Sequence, residues 1–409
     1  MPRWLKRLGE RIGGRLRRAA QTRTDADTED RLLESRMWGT VRAYRTAAAM
    51  MTAAQLLLWA YAGYDRAVQG LWQAALLLIP GGVAVWAVSR RCWGMDPSRR
   101  PGGPGRGAGW GGSARDASRP GYRTGGIRRP WELLLLLPCL LLDGLVLMHT
   151  LLSLLHQLMP SYPAGILRVV IPALLILGVL SGKRNGVAYG SHLWRWLLCG
   201  LLVWICLQGI RSGGTERLYP LLGRGVPVTL GTALAGLGAL WAVPLLFLLP
   251  DGQPVPACSG KGKPSSALPF VLLPLGLCAL ASLMLCCMAP WRPEAAVPAG
   301  LRLLLPARIA GGMILSGLNA LFWLALLMLA LAITLMSGQK MGLWLFPGLK
   351  PALPPLVAGL LAAGSLWLWP EGLPRAVTGL LPWRILLWAA AAVWAGGRRW
   401  REGRRAAKG

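Results

Sequence analysis

Apolar residues recur along this chain in blocks of about twenty, with neither the alternation of a strand nor a charged helical face. A helix rises about 1.5 Å per residue, so each block is long enough to cross roughly 30 Å of hydrocarbon. The pattern predicts spans at 46–64, 71–89, 131–156, 165–181, 189–210, 228–250, 268–290, 309–336, 352–370 and 381–396. The expected fold class is an all-α polytopic membrane protein of about ten transmembrane helices. Residues 46–396 would form the transmembrane domain, between a basic segment 1–45 and a basic tail 397–409.

Composition agrees: 54% of the 409 residues are hydrophobic and 15% are charged, too little polar surface for a soluble chain of this size. The net charge of +29 lies mainly between the blocks. Arg3 to Arg45 hold twelve basic residues, and Arg90 to Arg129 hold ten. Adding Lys183, Arg184, Arg195, Lys261, Lys263, Lys340, Lys350 and the tail from Arg398 to Lys408 puts 35 of the 45 lysines and arginines on one side. Anionic lipid and the insertion machinery keep such charge inside, so an integral membrane protein with both termini cytoplasmic is expected.

Several other readings are excluded or weakened. The first apolar run begins too far in for a cleavable signal peptide. Leu5, Leu8, Ile12 and Leu16 recur at helical spacing among arginines, which suits an interfacial helix on anionic lipid. A nucleic-acid-binding arm is the weaker reading, because membrane proteins ordinarily carry positive charge here, and no nucleic-acid partner is expected. Residues 94–129, rich in Gly, Pro, Arg and Ser, read as a disordered cytoplasmic loop and lack the GxxxxGK[ST] pattern of a phosphate loop. The eight cysteines and three histidines form no metal-ligand spacing, and no GxSxG, HExxH or carboxylate pair occurs. Neither metal, cofactor nor enzymatic activity is expected.

In hydrocarbon a polar side chain needs a partner or a water-filled cavity, so the few present carry information. Asp143 lies near mid-membrane in the third span. It suits a proton, cation or substrate-amine site, or a structural bond to a neighbouring helix or a packed arginine. His149, Ser153 and His156 share one helical face from which Asp143 is rotated away, and His156 falls near the outer surface. Gly231, Gly236, Gly238 and Pro244 interrupt the sixth span; Gly311, Gly312, Gly317 and Asn319 interrupt the eighth. Transporters break helices in this way, and small residues also permit close packing. Ser316 and Asn319, three apart, would face one cavity. The first span has no Gly or Pro from Ala48 to Ala60. Trp131, Trp241, Trp291, Trp344, Trp369 and Trp383 fall near span ends, as headgroup-layer tryptophans do.

Gly190-Ser-His-Leu-Trp-Arg195 opens the fifth span, and Tyr219, Pro220 and Gly225 precede the sixth. These stretches resemble the B subunit of the spore germinant receptor, a ten-span relative of the amino-acid permeases. The resemblance covers about 189–250. It departs in the unbroken first span, in the absence of a glutamate after glycine in the sixth, and in the length of the 94–129 loop. It implies a permease-like 5+5 inverted repeat and a location in a cell or spore inner membrane. It also implies A-type and C-type partner subunits, and a small-molecule ligand, an amino acid for instance, in a central cavity. Asp143, Gly236, Gly238, Ser316 and Asn319 are the candidate ligand-binding residues. The other reading is an amino-acid or cation-coupled transporter on the same scaffold.

Overall fold

The computed structural model describes residues 41–63, 70–93, 133–161, 186–218, 224–249, 267–288, 299–346 and 373–406, with isolated positions between them. Every regular element among these is helical. In chain order they are α1 (41–63), α2 (Leu71–Trp93), α3 (Leu133–Leu158) and α4 (Gly186–Gly213). There follow α5 (Val226–Leu237), the short α6 (Leu245–Leu248), α7 (Pro269–Cys287), α8 (Ala299–Leu345) and α9 (Leu373–Ala406). Among the described residues, six segments are long and apolar enough to cross a membrane: 71–93, 134–158, 187–213, 226–248, 269–287 and 315–343.

The predicted spans at 71–89, 131–156, 189–210, 228–250 and 268–290 each fall on one of these, within a few residues. The predicted spans at 165–181 and 352–370, the interfacial helix of Leu5 to Leu16 and the 94–129 loop lie outside the described residues. Ten spans and an inverted repeat are therefore not established by the described helices.

The predicted 309–336 span lies within α8. A straight helix of 47 residues would be about 70 Å long, more than twice the hydrocarbon thickness. Asn319 Nδ2 also donates to the Leu303 carbonyl at 2.8 Å. Sixteen residues of straight helix would hold those groups about 24 Å apart, so α8 turns back on itself between them. Among the described residues the membrane-length portion is 315–343.

Helix α1 is the centre of the bundle. Ala47, Ala48, Met51, Ala54, Leu56, Leu57 and Ala60 are all sealed from solvent, as an apolar helix buried all round should be. It forms a hairpin with α2, where Gly63 comes close to the Leu71 side chain. It runs antiparallel to the sixth span: Trp59, near its end, donates to the Thr232 carbonyl at 3.1 Å. Near its start, Tyr44 packs under Lys340, which also donates to Leu249 at the far end of the sixth span. Helix α3 packs on α8 and α9, and α7 on α2 and α4.

Helix α4 lies at the rim. Leu193, Trp196 and Leu197 project outward, as lipid-facing side chains would. Where α4 ends it crosses the end of α7 so closely that a Cβ on Gly213 would sit 2.3 Å from the Cys287 carbonyl oxygen. A small residue is required at that crossing. Cys92, in the last turn of α2, donates to the Ala392 carbonyl of α9. The start of α1, the end of α2 and the final turns of α9 therefore share one end of the bundle.

Candidate functional site

The sixth span is interrupted near its middle. Gly225 (φ 109°) supplies the left-handed turn before α5, and Pro227 stands in its first turn, where a missing N–H costs nothing. The α-helix runs to Leu237 and tightens into a 3₁₀ turn over Gly238–Ala242. Pro244 then begins the single turn of α6. Proline lacks the N–H that would continue the ladder, and tightening to i→i+3 bonding absorbs the change in pitch. Val243 N–H bonds to Leu240, and Phe247 and Leu248 both bond to Pro244.

At this interruption the chain assembles a buried polar centre. Asp143 of α3 and Arg384 of α9 form an ion pair, both side chains sealed from solvent. Trp241, inside the 3₁₀ turn, donates its indole N–H to Asp143 Oδ2 at 2.6 Å. Arg384 Nη1 serves Asp143 Oδ1 and lies 3.5 Å from Gln55 Oε1 on α1. Four residues from four separate segments thus meet around one carboxylate. Both oxygens of Asp143 are engaged, and its charge is neutralised within the low-dielectric interior.

The donor side is not balanced. Arg384 Nε and Nη2 and Gln55 Nε2 are buried without a hydrogen-bond partner among the described residues. Nε and Nη2 form one edge of the planar guanidinium, the edge whose two parallel N–H bonds match the oxygens of a carboxylate. Leaving such donors unpaired in an apolar interior costs about 1–3 kcal/mol each. The centre accordingly offers donors in excess, set beside the one irregular stretch of the sixth span.

The candidate residues fare differently. Asp143 is at this centre, bound by an arginine as the structural alternative foresaw. Gly238 opens the 3₁₀ turn three residues before Trp241. Gly236 is packed: a Cβ there would lie 2.8 Å from the Trp59 ring and from Leu78, so its bareness admits those side chains. Asn319 is buried with its amide bonded to Leu303, and Ser316 is half-buried on the same helix. No described contact brings Ser316 or Asn319 to Asp143. His156 is exposed near the end of α3, as expected.

Two participants escaped the sequence reading. Trp241 is fully buried and bonded to Asp143, which corrects its assignment to the headgroup layer. The charge tally leaves Arg384 by default on the outer side, yet it is sealed within the bundle. The available signal was an arginine inside an apolar segment, four residues into the predicted 381–396 span.

A divalent metal finds no ligand set here. No group of three or more His, Cys, Asp or Glu side chains gathers among the described residues, and the one carboxylate is already held by a guanidinium.

No protein-family profile and no curated protein matches this chain. Solved structures do. The chain is similar to a manganese transporter of Eremococcus coleocola bound to an aromatic bis-isothiourea substituted compound. That match has 17% identity and a TM-score of 0.55, over 88% of this chain and 78% of that one. A histidine-to-alanine mutant of the same transporter matches at 16% identity and a TM-score of 0.54, with the same coverage. At such identity the likeness speaks to architecture alone. The chain is a membrane protein with a transporter-like fold, all-helical in its regular elements among the described residues.

Proposed function

We propose that this protein is a membrane transporter for a small solute bearing a carboxylate group, with an amino acid as the leading example. The observation that carries the reading is the unpaired Nε/Nη2 edge of Arg384, buried beside the interruption of the sixth span. A solute carboxylate docking on that edge satisfies two donors at once, and Gln55 Nε2 supplies a third. The second charge draws the guanidinium away from Asp143, whose other oxygen holds Trp241 and hence the 3₁₀ turn. Binding and the shape of the sixth span are coupled through that one carboxylate. A ligand shifts such an equilibrium only by its differential affinity for the two shapes, which the freed donors provide.

Manganese, the cargo named for the structural neighbour, suits this centre poorly. A divalent ion favours several oxygen or nitrogen ligands, and here it would face an arginine. The finer reading, a germinant-receptor B subunit acting with A-type and C-type partners in a spore membrane, rests on the sequence stretches around Gly190–Arg195 and Gly225. It differs in predicting ligand binding without flux.

The deciding experiment is uptake of radiolabelled amino acids and simple monocarboxylates by purified protein in liposomes. Uptake that is lost in Arg384→Lys, which keeps the charge and removes the fork, supports the proposal. Binding without uptake favours the receptor. Manganese uptake with no carboxylate transport overturns the assignment.

A further inference from the structure

A second polar cluster lies well away from Asp143, where the start of α1 meets α4. Thr46 is its hub. The Thr46 hydroxyl donates to the Arg42 carbonyl at 2.9 Å, one turn back on α1. Its oxygen faces Arg195 Nη1 at 3.4 Å and His192 Nδ1 at 3.3 Å, both on α4. Since the hydroxyl proton is already spent on Arg42, the oxygen accepts from both α4 groups. His192 thus carries its proton on Nδ1. Arg42 is exposed and within electrostatic reach of both His192 and Arg195.

Two arginines therefore converge from two helices, with the neutral His192 beside them. Neither Arg42 nor Arg195 forms an ion pair with a carboxylate among the described residues, and Arg195 Nε is buried without a described hydrogen-bond partner. Like charges gathered this way repel, and the repulsion is stronger where membrane lowers the dielectric. Such a group is stable only against an anion. Its setting identifies which kind. Leu193, Trp194, Trp196 and Leu197 beside it on α4 are all exposed, and the Arg195 guanidinium lies 4.5 Å over the Trp196 ring. Tryptophan and arginine stacked on an outward apolar face are what the headgroup layer selects.

We propose that Arg42 and Arg195 form a binding site for the phosphate of an anionic phospholipid, whose acyl chains lie along the exposed face of α4. The site is independent of the transport centre. Arg195 contacts the phosphate from the rim helix and Arg42 from the central one, and the lipid therefore bridges them. Thr46 holds Arg195 and His192 in position.

The test is native mass spectrometry of the full-length protein in mild detergent, titrated with phosphatidylglycerol, phosphatidylcholine or inorganic phosphate. The wild type should retain phosphatidylglycerol in preference to phosphatidylcholine. Arg42→Gln and Arg195→Gln should each weaken that retention about fivefold, the worth of one basic residue at an anionic surface. Arg195→Lys should keep most of it. The basic terminal segments are common to all variants and cancel. Arg42 is exposed, so its variant tests the site even if Arg195→Gln fails to fold. Unchanged retention in Arg42→Gln overturns the site, and displacement of the lipid by millimolar inorganic phosphate overturns the lipid assignment in favour of a soluble anion.

Discussion

Trp241 donates to Asp143 Oδ2 across 2.6 Å, which fastens the irregular turn of the sixth span to the middle of α3. Replacing it by phenylalanine keeps an aromatic ring and removes the donor. A hydrogen bond to a charged group contributes about 1.5–3 kcal/mol. Trp241→Phe should lower the unfolding temperature accordingly, with faster amide exchange confined to 238–244. Exchange spread evenly over the molecule would show that the turn is held by something else.

Removing one member of the ion pair leaves the other charged and buried. Asp143→Asn should therefore cost about 3–5 kcal/mol, while the double variant Asp143→Leu/Arg384→Met should recover most of that loss. Both should abolish uptake. Thermal unfolding of the set in detergent measures the coupling directly, and equal destabilisation of single and double variants would deny it.

Two glycines make opposite predictions. In Gly213→Ala the new Cβ meets the Cys287 backbone at 2.3 Å, where nothing flexible can yield, so α4 and α7 must separate and stability should fall by about 1–3 kcal/mol. In Gly200→Ala, on the same helix, the Cβ enters open space. There the lower conformational freedom of alanine should raise stability by about 0.5–1 kcal/mol. Melting temperatures that move in the same direction would contradict this packing.

Lys340 caps one end of the bundle. Its ammonium donates to the Leu249 carbonyl at 2.7 Å and sits 3.5 Å from the Tyr44 ring centroid. Lys340→Met keeps the stem and loses both interactions. It should loosen α1 from the end of the sixth span, with exchange at 245–249 rising by about tenfold for each 1.4 kcal/mol lost. Protection that stays at the wild-type level would assign the closure to apolar packing.

Much of this molecule is legible from its sequence because a bilayer imposes a simple rule. A segment such as 269–287 carries Ser282 as its one polar side chain, and its length and apolarity set it apart. Asp143 stood out for the same reason, as did the break marked by Gly238 and Pro244. Arg384 did not, because an arginine four residues inside a span edge looks like one that reaches out to headgroups. Trp241 was mistaken for an interfacial anchor, since its indole serves either purpose and only tertiary contact decides. The turn within α8 was hidden too: the contact that reveals it joins Asn319 to a backbone carbonyl, which no side-chain pattern announces.

The partners of the central ion pair, Asp143 on α3 and Arg384 on α9, are 241 residues apart. Ribosomes add about 5–20 residues per second, so Asp143 enters the translocon roughly 10–50 s before its counter-ion is made. For that interval the nascent protein carries Asp143 without its arginine partner, a polar group exposed to lipid and open to capture by chaperones or membrane proteases. Maturation is thereby tied to the synthesis of α9, and polypeptides cut short before Arg384 should be degraded rather than accumulate.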